Sequence, residues 1–284
     1  MPELAEVEFY RRRWAEAATG QTVRQVRGHR GKRVFRGTDV AAVERELPGR
    51  PFVESHASGK QMVFRFGDNA WLGVHLGMSG ELSVAPPSYS PSKHDHLVIN
   101  LTSVVLVFTD PRMFGRIRFD LSHEPPTWWA ALPGSVLSRA FTQPSLARFL
   151  ERRRGAPIKA VLLMQEFFPG IGNWMADEIL WRAGIHPTEP AGQLNPDQVS
   201  TLWRQTRTVA RDALRRIAGV GGDLPPDLNV HIPESWLFHH RWRNGGRCPK
   251  TGVLLERAEI GGRTTCWSPA LQKRSTRTKR TAAR

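Results

Sequence analysis

Cysteine is scarce in this 284-residue sequence, which contains only Cys248 and Cys266. Two thiols exclude a disulfide framework, and alone they cannot make a zinc site of four thiolates. No apolar run reaches the ~20 residues that a membrane-spanning helix needs, and the first residues lack the apolar core of a secretory signal. The hydrophobic content of 40% still fits a folded protein, and the length predicts two domains. We therefore expect a cytoplasmic protein that does not enter a membrane.

Acidic residues are also few, with 26 Asp and Glu against 41 Lys and Arg, so the formal net charge is +15. Such an excess predicts a polyanionic partner, and nucleic acid before a membrane, because no basic amphipathic anchor is evident. Residues 273–284 contain six of the basic residues and nothing that could pack, so we expect a disordered basic tail there. Without those six residues the formal net charge is still +9 (15 − 6), so the part that we expect to fold is basic by itself.

The two halves of the sequence have different patterns. Short β-branched or aromatic runs in the first half predict the strands of a sandwich or barrel. These runs are residues 61–66, 71–75, 97–101, 104–108 and 117–119, and residues 27–36 also resemble exposed β-structure. The second half predicts helices at 145–154, 158–168, 173–183 and 196–218. Residues 253–260 and 263–267 flank Gly261 and Gly262, which predict the turn of a β-hairpin.

The first six residues combine an early proline with two acids. If Met1 is removed, Pro2 carries a free secondary amine at the start of an amphipathic helix, and a neutral amine can form a Schiff base with a carbonyl carbon. Glu3 and Glu6 lie three residues apart on one face of the first turn, where they could move protons beside that amine. Proline and acids at a helix start are also ordinary capping preferences, so these six residues alone favour the capping interpretation.

A glycine-rich turn precedes the third predicted helix of the second half. Residues 169–173 read Pro-Gly-Ile-Gly-Asn, and backbone amides at such a helix start, together with the helix dipole, suit a phosphate group. The alternative is a helix–helix turn that needs glycine for its backbone angles. The basic composition favours phosphate.

Together these segments and four further motifs resemble the formamidopyrimidine-DNA glycosylase and endonuclease VIII family. The opening Pro-Glu-Leu-Ala-Glu-Val-Glu resembles the formamidopyrimidine branch more closely, although Ala5 stands where that branch usually has proline. The further motifs are Gly-Lys-Gln at 59–61, His-Leu-Gly-Met-Ser-Gly at 75–80, Lys-His-Asp-His at 93–96 and Asp-Pro-Arg-Met-Phe-Gly at 110–115. The resemblance extends from residue 1 to about residue 272.

The resemblance implies an α+β protein with an N-terminal β-sandwich domain and a C-terminal helix–two-turn–helix domain. The expected boundaries are a catalytic domain at 1–130, a linker at 131–143, the helical DNA-binding domain at 144–235 and a finger hairpin at 236–272. The expected partner is double-stranded DNA with damaged bases or abasic sites, bound by a monomer.

The resemblance also assigns roles to residues. Pro2 would be the Schiff-base nucleophile, Glu3 its acid–base partner, Glu6 a supporting acid, and Lys60 a catalytic lysine near the lesion phosphate. Met78, Arg112 and Phe114 would fill the space that an extruded base leaves, since an apolar wedge and a guanidinium replace lost stacking. The implied DNA-binding residues are His94, Arg112, Lys159, Asn173 and Arg263.

The finger departs from the family pattern. Family members usually end in a zinc finger with two Cys-x-x-Cys pairs, which align here with Cys248 and Thr251 and with Ser268 and Leu271. One ligand of four remains, so we expect a zincless finger and no cofactor. The His-x-His pair at 94–96 can also hint at a metal, but no third ligand is evident near it.

Two segments leave the preferred lesion open. Residues 223–233 do not resemble the loop that covers oxidised purines in the formamidopyrimidine branch, and Arg241-Trp242-Arg243 replaces the usual Tyr-Gly-Arg. We expect a nucleoid-associated glycosylase and abasic-site lyase for oxidised or ring-opened purines. The alternatives are oxidised pyrimidines, a non-catalytic damage-binding protein of the same fold, and an RNA- or ribosome-associated protein that shares only the helical element.

Overall fold

The computed structural model describes residues 1–274, and the chain divides into two compact units. The first unit comprises Met1–Ser135 and Asp212–His231, and the second comprises residues 136–211 and those from 232 onward. Residues 212–231 thus group with the first unit, whereas the sequence placed them in the helical domain. Most of the expected basic tail, residues 275–284, lies outside the described residues. None of the helices within residues 1–274 combines the length and apolar composition needed to cross a bilayer.

The first unit contains three helices and eight strands. The helices are α1 (Leu4–Ala18), α2 (Val40–Glu46) and α3 (Thr127–Ala130). The strands are β1 (Gln25–Gly28), β2 (Phe52–Ser58), β3 (Gln61–Phe66), β4 (Ala70–His75), β5 (Glu81–Ala85), β6 (Asp95–Asn100), β7 (Val105–Thr109) and β8 (Arg116–Leu121).

These strands form two antiparallel four-stranded sheets, in the orders β1-β6-β7-β5 and β2-β3-β4-β8. Helix α1 contacts β2 of one sheet and β5 of the other. Its Trp14 is fully buried, packs against Phe64 at a tilt of 50° with ring centroids 5.0 Å apart, and donates from Nε1 to the Ser83 carbonyl at 2.9 Å. The predicted β-sandwich is confirmed, and its two sheets hold the helix that carries the N-terminus.

The second unit combines helices with one hairpin. The elements are α4 (Gln143–Arg152), α5 (Ile158–Leu162), α6 (Asn173–Ala183), α7 (Pro196–Ala218, whose last residues belong to the first unit), β9 (Glu256–Ile260) and β10 (Arg263–Trp267). Gly261 and Gly262 have φ angles of 62° and 73°, which is the left-handed pair that a tight two-residue hairpin requires. The predicted hairpin is therefore confirmed.

Several predicted elements differ from the structure. The helix expected at 158–168 ends at Leu162, because Phe167 and Phe168 turn into an aromatic cluster in which Phe167 stacks on Phe149 at 4.3 Å. Residues 27–36 hold only the end of β1 and a short 3-10 turn, separated by Gly31 at φ 74°. The sequence also missed α2, β2 and β5.

A buried carboxylate connects the elements of the second unit. Asp177 of α6 is 1% exposed and pairs with Lys159 of α5 and with Arg241, which approaches to 2.6 Å. The backbone N–H of Cys266 in β10 donates to the same carboxylate at 3.0 Å. One acid thus joins two helices, the segment before the finger, and the hairpin.

We expect Asp177→Ala to lower the free energy of unfolding by about 3–5 kcal/mol, because it leaves two buried cations without their counter-charge. Urea unfolding measures this loss. The matched control is Glu166→Ala, which removes a carboxylate 59% exposed in its ion pair with Arg153 and should change stability by about 0–1 kcal/mol. Similar effects of the two substitutions would contradict the anchoring role of Asp177.

Candidate functional site

The two acids near the N-terminus form a capping box at the start of α1. Glu3 precedes the helix and its side chain accepts from the backbone of Glu6, while the Glu6 carboxylate accepts from the Glu3 N–H at 3.1 Å. Both acids are buried, at 2% and 5% exposure, whereas the adjoining Pro2 is half-buried. The helix start therefore holds Pro2 next to two fixed carboxyl groups.

Lys60 comes to the same end of α1 from the tight turn between β2 and β3. Gly59 has a φ of 59°, which allows the turn, and Lys60 Nζ lies 3.9 Å from Met1 Sδ. The four residues predicted as catalytic, Pro2, Glu3, Glu6 and Lys60, thus lie around the chain start. The arrangement places one amine-bearing terminus, two carboxyl groups and an ammonium within one small region.

His75 lies at the end of β4, opposite Gln61 in the neighbouring strand, and although it begins the motif at 75–80, the sequence assigned it no role. Burial lowers the pKa of His75 to about 4, and the positive charges of Lys60, Arg36 and Arg118 act in the same direction. Its Nδ1 accepts from the Gly77 N–H at 3.1 Å, so the neutral ring carries its proton on Nε2. His75 can therefore donate a hydrogen bond while adding no charge beside Lys60.

The fully buried Asp110 holds together two loops of this unit. Its carboxylate accepts from Ser79 Oγ at 2.7 Å, from the Gly115 N–H at 2.7 Å and from the Arg112 N–H at 3.3 Å. Gly77 allows the close approach, because a Cβ there would lie 2.4 Å from the Gly115 nitrogen. The loop at 76–80 is thus fixed against the loop at 110–115.

These anchored loops present large side chains to solvent. Met78 is 38% exposed and Phe114 is 41% exposed, and the Arg112 guanidinium lies 5.0 Å from the Phe114 ring centroid. Met113 has a φ of 53°, a strained angle for a residue other than glycine that persists only where its surroundings enforce it. An apolar pair and a guanidinium on rigid loops form a suitable wedge for a base stack.

His94 and Arg36 border the same loops. The His94 carbonyl accepts from the Asp110 N–H at 3.0 Å, and Arg36 donates to the Gly115 carbonyl at 2.6 Å. Burial, and then the positive charges of the neighbouring Arg116 and Arg33, lower the pKa of the Arg36 guanidinium. The sequence predicted His94 but missed Arg36, because an arginine in a basic stretch carries no motif.

The second unit has its own cluster at the start of α6. Asn173 opens the helix and donates from Nδ2 to the Thr264 carbonyl of β10 at 2.8 Å. The exposed Arg263 precedes Thr264, and a Cβ on Gly261 would lie 2.7 Å from Ala160 Cβ. The hairpin turn therefore lies against α5 and α6, and it places Arg263 near a positive helix end that favours anions.

Lys159 corrects one prediction. It was expected to bind DNA, but its side chain is fully buried and its ammonium binds Asp177 and the Asn173 carbonyl, the latter at 2.7 Å. A lysine enclosed in this way supports the start of α6 from inside and presents no charge at the surface.

Comparison with known proteins agrees with this geometry. Residues 1–117 match the family model described as the formamidopyrimidine-DNA glycosylase N-terminal domain, and residues 133–221 match the model of the formamidopyrimidine-DNA glycosylase H2TH domain. The chain belongs to the formamidopyrimidine-DNA glycosylase family. Members of this family are DNA glycosylases and abasic-site lyases.

Individual relatives are similar over nearly the whole chain. Formamidopyrimidine-DNA glycosylase of Roseiflexus sp. (strain RS-1) is 36% identical, with 96% of this chain and all of the relative covered. The enzyme of Thermus thermophilus is 34% identical, with 96% of this chain and 98% of the relative covered. The crystal structure of Lactococcus lactis Fpg with DNA containing N7-benzyl-Fapy-dG has a TM-score of 0.83 at 25% identity, covering 96% of this chain and all of that one.

The finger residues at the family's zinc-ligand positions do not fit a metal. Burial raises the pKa of the Cys248 thiol, but polar neighbours, among them Trp181, whose Nε1 donates to the sulfur at 3.4 Å, outweigh it and bring the pKa to about 7. Leu271 packs against Cys248 instead of offering a ligand. Burial and Asp177 raise the pKa of Cys266 to about 12, so this thiol stays protonated. Within residues 1–274, no three His, Cys, Asp or Glu side chains cluster as metal ligands.

The low pKa of His75 predicts a pH-dependent stability. Between pH 4 and 6.5 the unfolded chain binds a proton at this ring and the folded protein does not, so the free energy of unfolding should fall as the pH is lowered through that range. His75→Asn keeps an acceptor for the Gly77 N–H and removes the titration, so its stability should depend less on pH. Urea unfolding at several pH values tests this, with the exposed His56→Asn as the control. Equal slopes for wild type and His75→Asn would contradict it.

Proposed function

We propose that this base-excision DNA glycosylase, which removes oxidised purines and cleaves abasic sites, acts through a Schiff base on Pro2. The observation that supports the mechanism most directly is the convergence at the chain start, where Pro2 adjoins the buried Glu3–Glu6 capping box and Lys60 reaches Met1. A structural cap alone would not require a lysine at the same place. Removal of Met1 is part of the proposal, because Pro2 is otherwise an amide nitrogen.

The chemistry follows from these groups. The Pro2 nitrogen attacks C1′ of the damaged nucleotide, the C1′–N bond breaks, and the base leaves with the bonding electrons and takes up the proton that the Pro2 nitrogen loses. Glu3 donates a proton to O4′ as the sugar ring opens, which leaves an iminium at C1′. Loss of a C2′ proton then expels the 3′-phosphate, and a second elimination expels the 5′-phosphate. Lys60 holds the phosphate of the damaged nucleotide at the N-terminus.

The remaining predicted residues would hold and open the DNA. Met78, Arg112 and Phe114 enter the duplex and replace the stacking lost when the base turns out, which offsets a few kcal/mol of unpairing. His94 contacts phosphate, and neutral His75 can do so through Nε2. In the second unit, Asn173 and Arg263 contact the backbone, while Lys159 supports the helix that carries Asn173.

The DNA lesions bound in the structures of relatives suggest which lesions this enzyme prefers. The Lactococcus lactis protein has been solved with DNA containing N7-benzyl-Fapy-dG and, in another complex, with DNA containing an oxidised pyrimidine. We propose oxidised and ring-opened purines as the main substrates and oxidised pyrimidines as the second candidate. A net charge of +15 supports association with the chromosome in the cytoplasm.

We expect Pro2→Gly to lose most covalent trapping by borohydride on DNA with an oxidised purine, while DNA binding persists, because only the secondary amine changes. The assay uses a panel of purine, pyrimidine and abasic duplexes and confirms Met1 removal by mass spectrometry. Equal trapping of both proteins would exclude the N-terminal mechanism. Binding without trapping by the wild type would instead favour the non-catalytic damage-binding function.

We also propose that the finger needs no zinc, since the hydrogen bond from Trp181 to Cys248 and the packing of Leu271 take the place of the metal. Elemental analysis should find no stoichiometric zinc, and chelators should leave melting and trapping unchanged. Because the aligned positions cluster around Cys248, the variant Thr251→Cys/Ser268→Cys/Leu271→Cys should bind about one zinc ion.

The matched control adds Cys248→Ser to the three substitutions and should lower the affinity for zinc, because it removes one of the four thiolates. Stoichiometric zinc in the wild type, or chelator-sensitive trapping, would contradict the proposal.

A further inference from the structure

The side chains of Trp242 and Arg243 face solvent in the first part of the finger, ahead of the β9–β10 hairpin. Trp242 is 55% exposed, which leaves a large indole surface in water, and Arg243 is exposed beside it. We propose that this pair is a further DNA-contacting site, in which the indole lies against a deoxyribose and the guanidinium binds the adjacent phosphate. The proposal rests on the proposed function and adds residues that the sequence did not assign to DNA.

The indole of Trp242 is held in place although it is exposed. Its ring meets the Phe238 ring edge-on with centroids 5.2 Å apart, and the Arg241 guanidinium lies 4.6 Å from its centroid. Arg241 is itself fixed by two hydrogen bonds to Asp177, at 2.6 and 3.0 Å. A ring already ordered in this way loses little conformational entropy when a ligand packs on it.

Trp242 lies close to the start of α6. Phe238 also packs edge-on against Trp174 at 5.1 Å, and Trp174 directly follows Asn173. Through Phe238 and Trp174, the Trp242 ring is thus connected to the first turn of α6, whose positive end favours phosphate. The proposal requires that a strand bound at Asn173 and Arg263 continues over this surface.

The positive charges around Trp242 favour DNA over a protein as the partner of this surface. No described residue offers Arg243 an ion pair or a hydrogen bond, so its guanidinium is available for a phosphate. Arg247, four residues on, is exposed as well. Exposed aromatic rings among cations are how proteins hold nucleic-acid strands without reading their sequence.

The test measures Kd for a duplex with an abasic-site analogue and for its undamaged counterpart over a series of salt concentrations. Trp242→Ala should weaken binding of both duplexes about five- to tenfold, because a backbone contact carries no lesion information. Its slope of log K against log salt should stay unchanged, since indole carries no charge. Arg243→Ala should reduce that slope by about 0.9, because one phosphate contact is lost.

Four comparisons separate a DNA contact from a structural role. Trp242→Phe should retain most of the affinity, and Leu254→Ala, which removes another side chain 52% exposed in the finger, should bind as wild type does. Arg263→Ala is the positive control for a lost phosphate contact. The single-turnover cleavage rate of Trp242→Ala at saturating enzyme should match wild type, because Trp242 lies outside the chemistry.

Wild-type affinity in Trp242→Ala, or an unchanged salt slope in Arg243→Ala, would overturn the proposal. If Trp242→Ala melts at a lower temperature than wild type, its weaker binding has a structural explanation, and the test then depends on Trp242→Phe and Arg243→Ala. In that case a salt dependence of Arg243→Ala equal to that of wild type counts against a DNA contact. A wild-type protein that neither binds nor is trapped on damaged DNA would refute the proposed function instead.

Discussion

The second unit depends on a charge that has been taken out of water. Asp177 is almost fully enclosed, and its two oxygens are shared among Lys159, Arg241 and the backbone N–H of Cys266. Burying an unpaired carboxylate would cost several kcal/mol, so the acid requires all its donors to be in place together. This requirement couples α5, α6 and the hairpin, which are far apart in sequence, and brings Arg263 beside Asn173.

Asp110 imposes a similar constraint on the first unit, by a different set of donors. It accepts from a serine hydroxyl and from backbone N–H groups, so it fixes the path of two loops and leaves their larger side chains exposed. The strained backbone of Met113 is maintained by this network. In both units, a buried acid provides rigidity and the neighbouring surface carries the residues that we propose to contact DNA.

Local pattern predicted the regular elements well and the buried polar contacts poorly. The strand at 61–66 and the hairpin were found because alternation and paired glycines are local signals. Strand β2 was missed because its partly exposed Glu54 and His56 interrupt an apolar pattern. Lys159 was expected to bind DNA because the family resemblance implied it, and only the fold shows that it meets the buried Asp177, 18 residues away. The site motifs were found through a family resemblance, whereas Arg36 and the properties of His75, which lies in one of those motifs, emerged from their neighbours in space.

The finger also bears on the conditions under which this repair enzyme works. Oxidants that damage guanine also attack clustered thiolates, and a zinc site of four cysteines can lose both its ligands and its metal in one event. Here Thr251, Ser268 and Leu271 offer no sulfur to oxidise, and Cys248 is 1% exposed. A finger that holds no zinc, as we propose, and relies on packed side chains would keep its shape during the same oxidative stress that creates the enzyme's substrate.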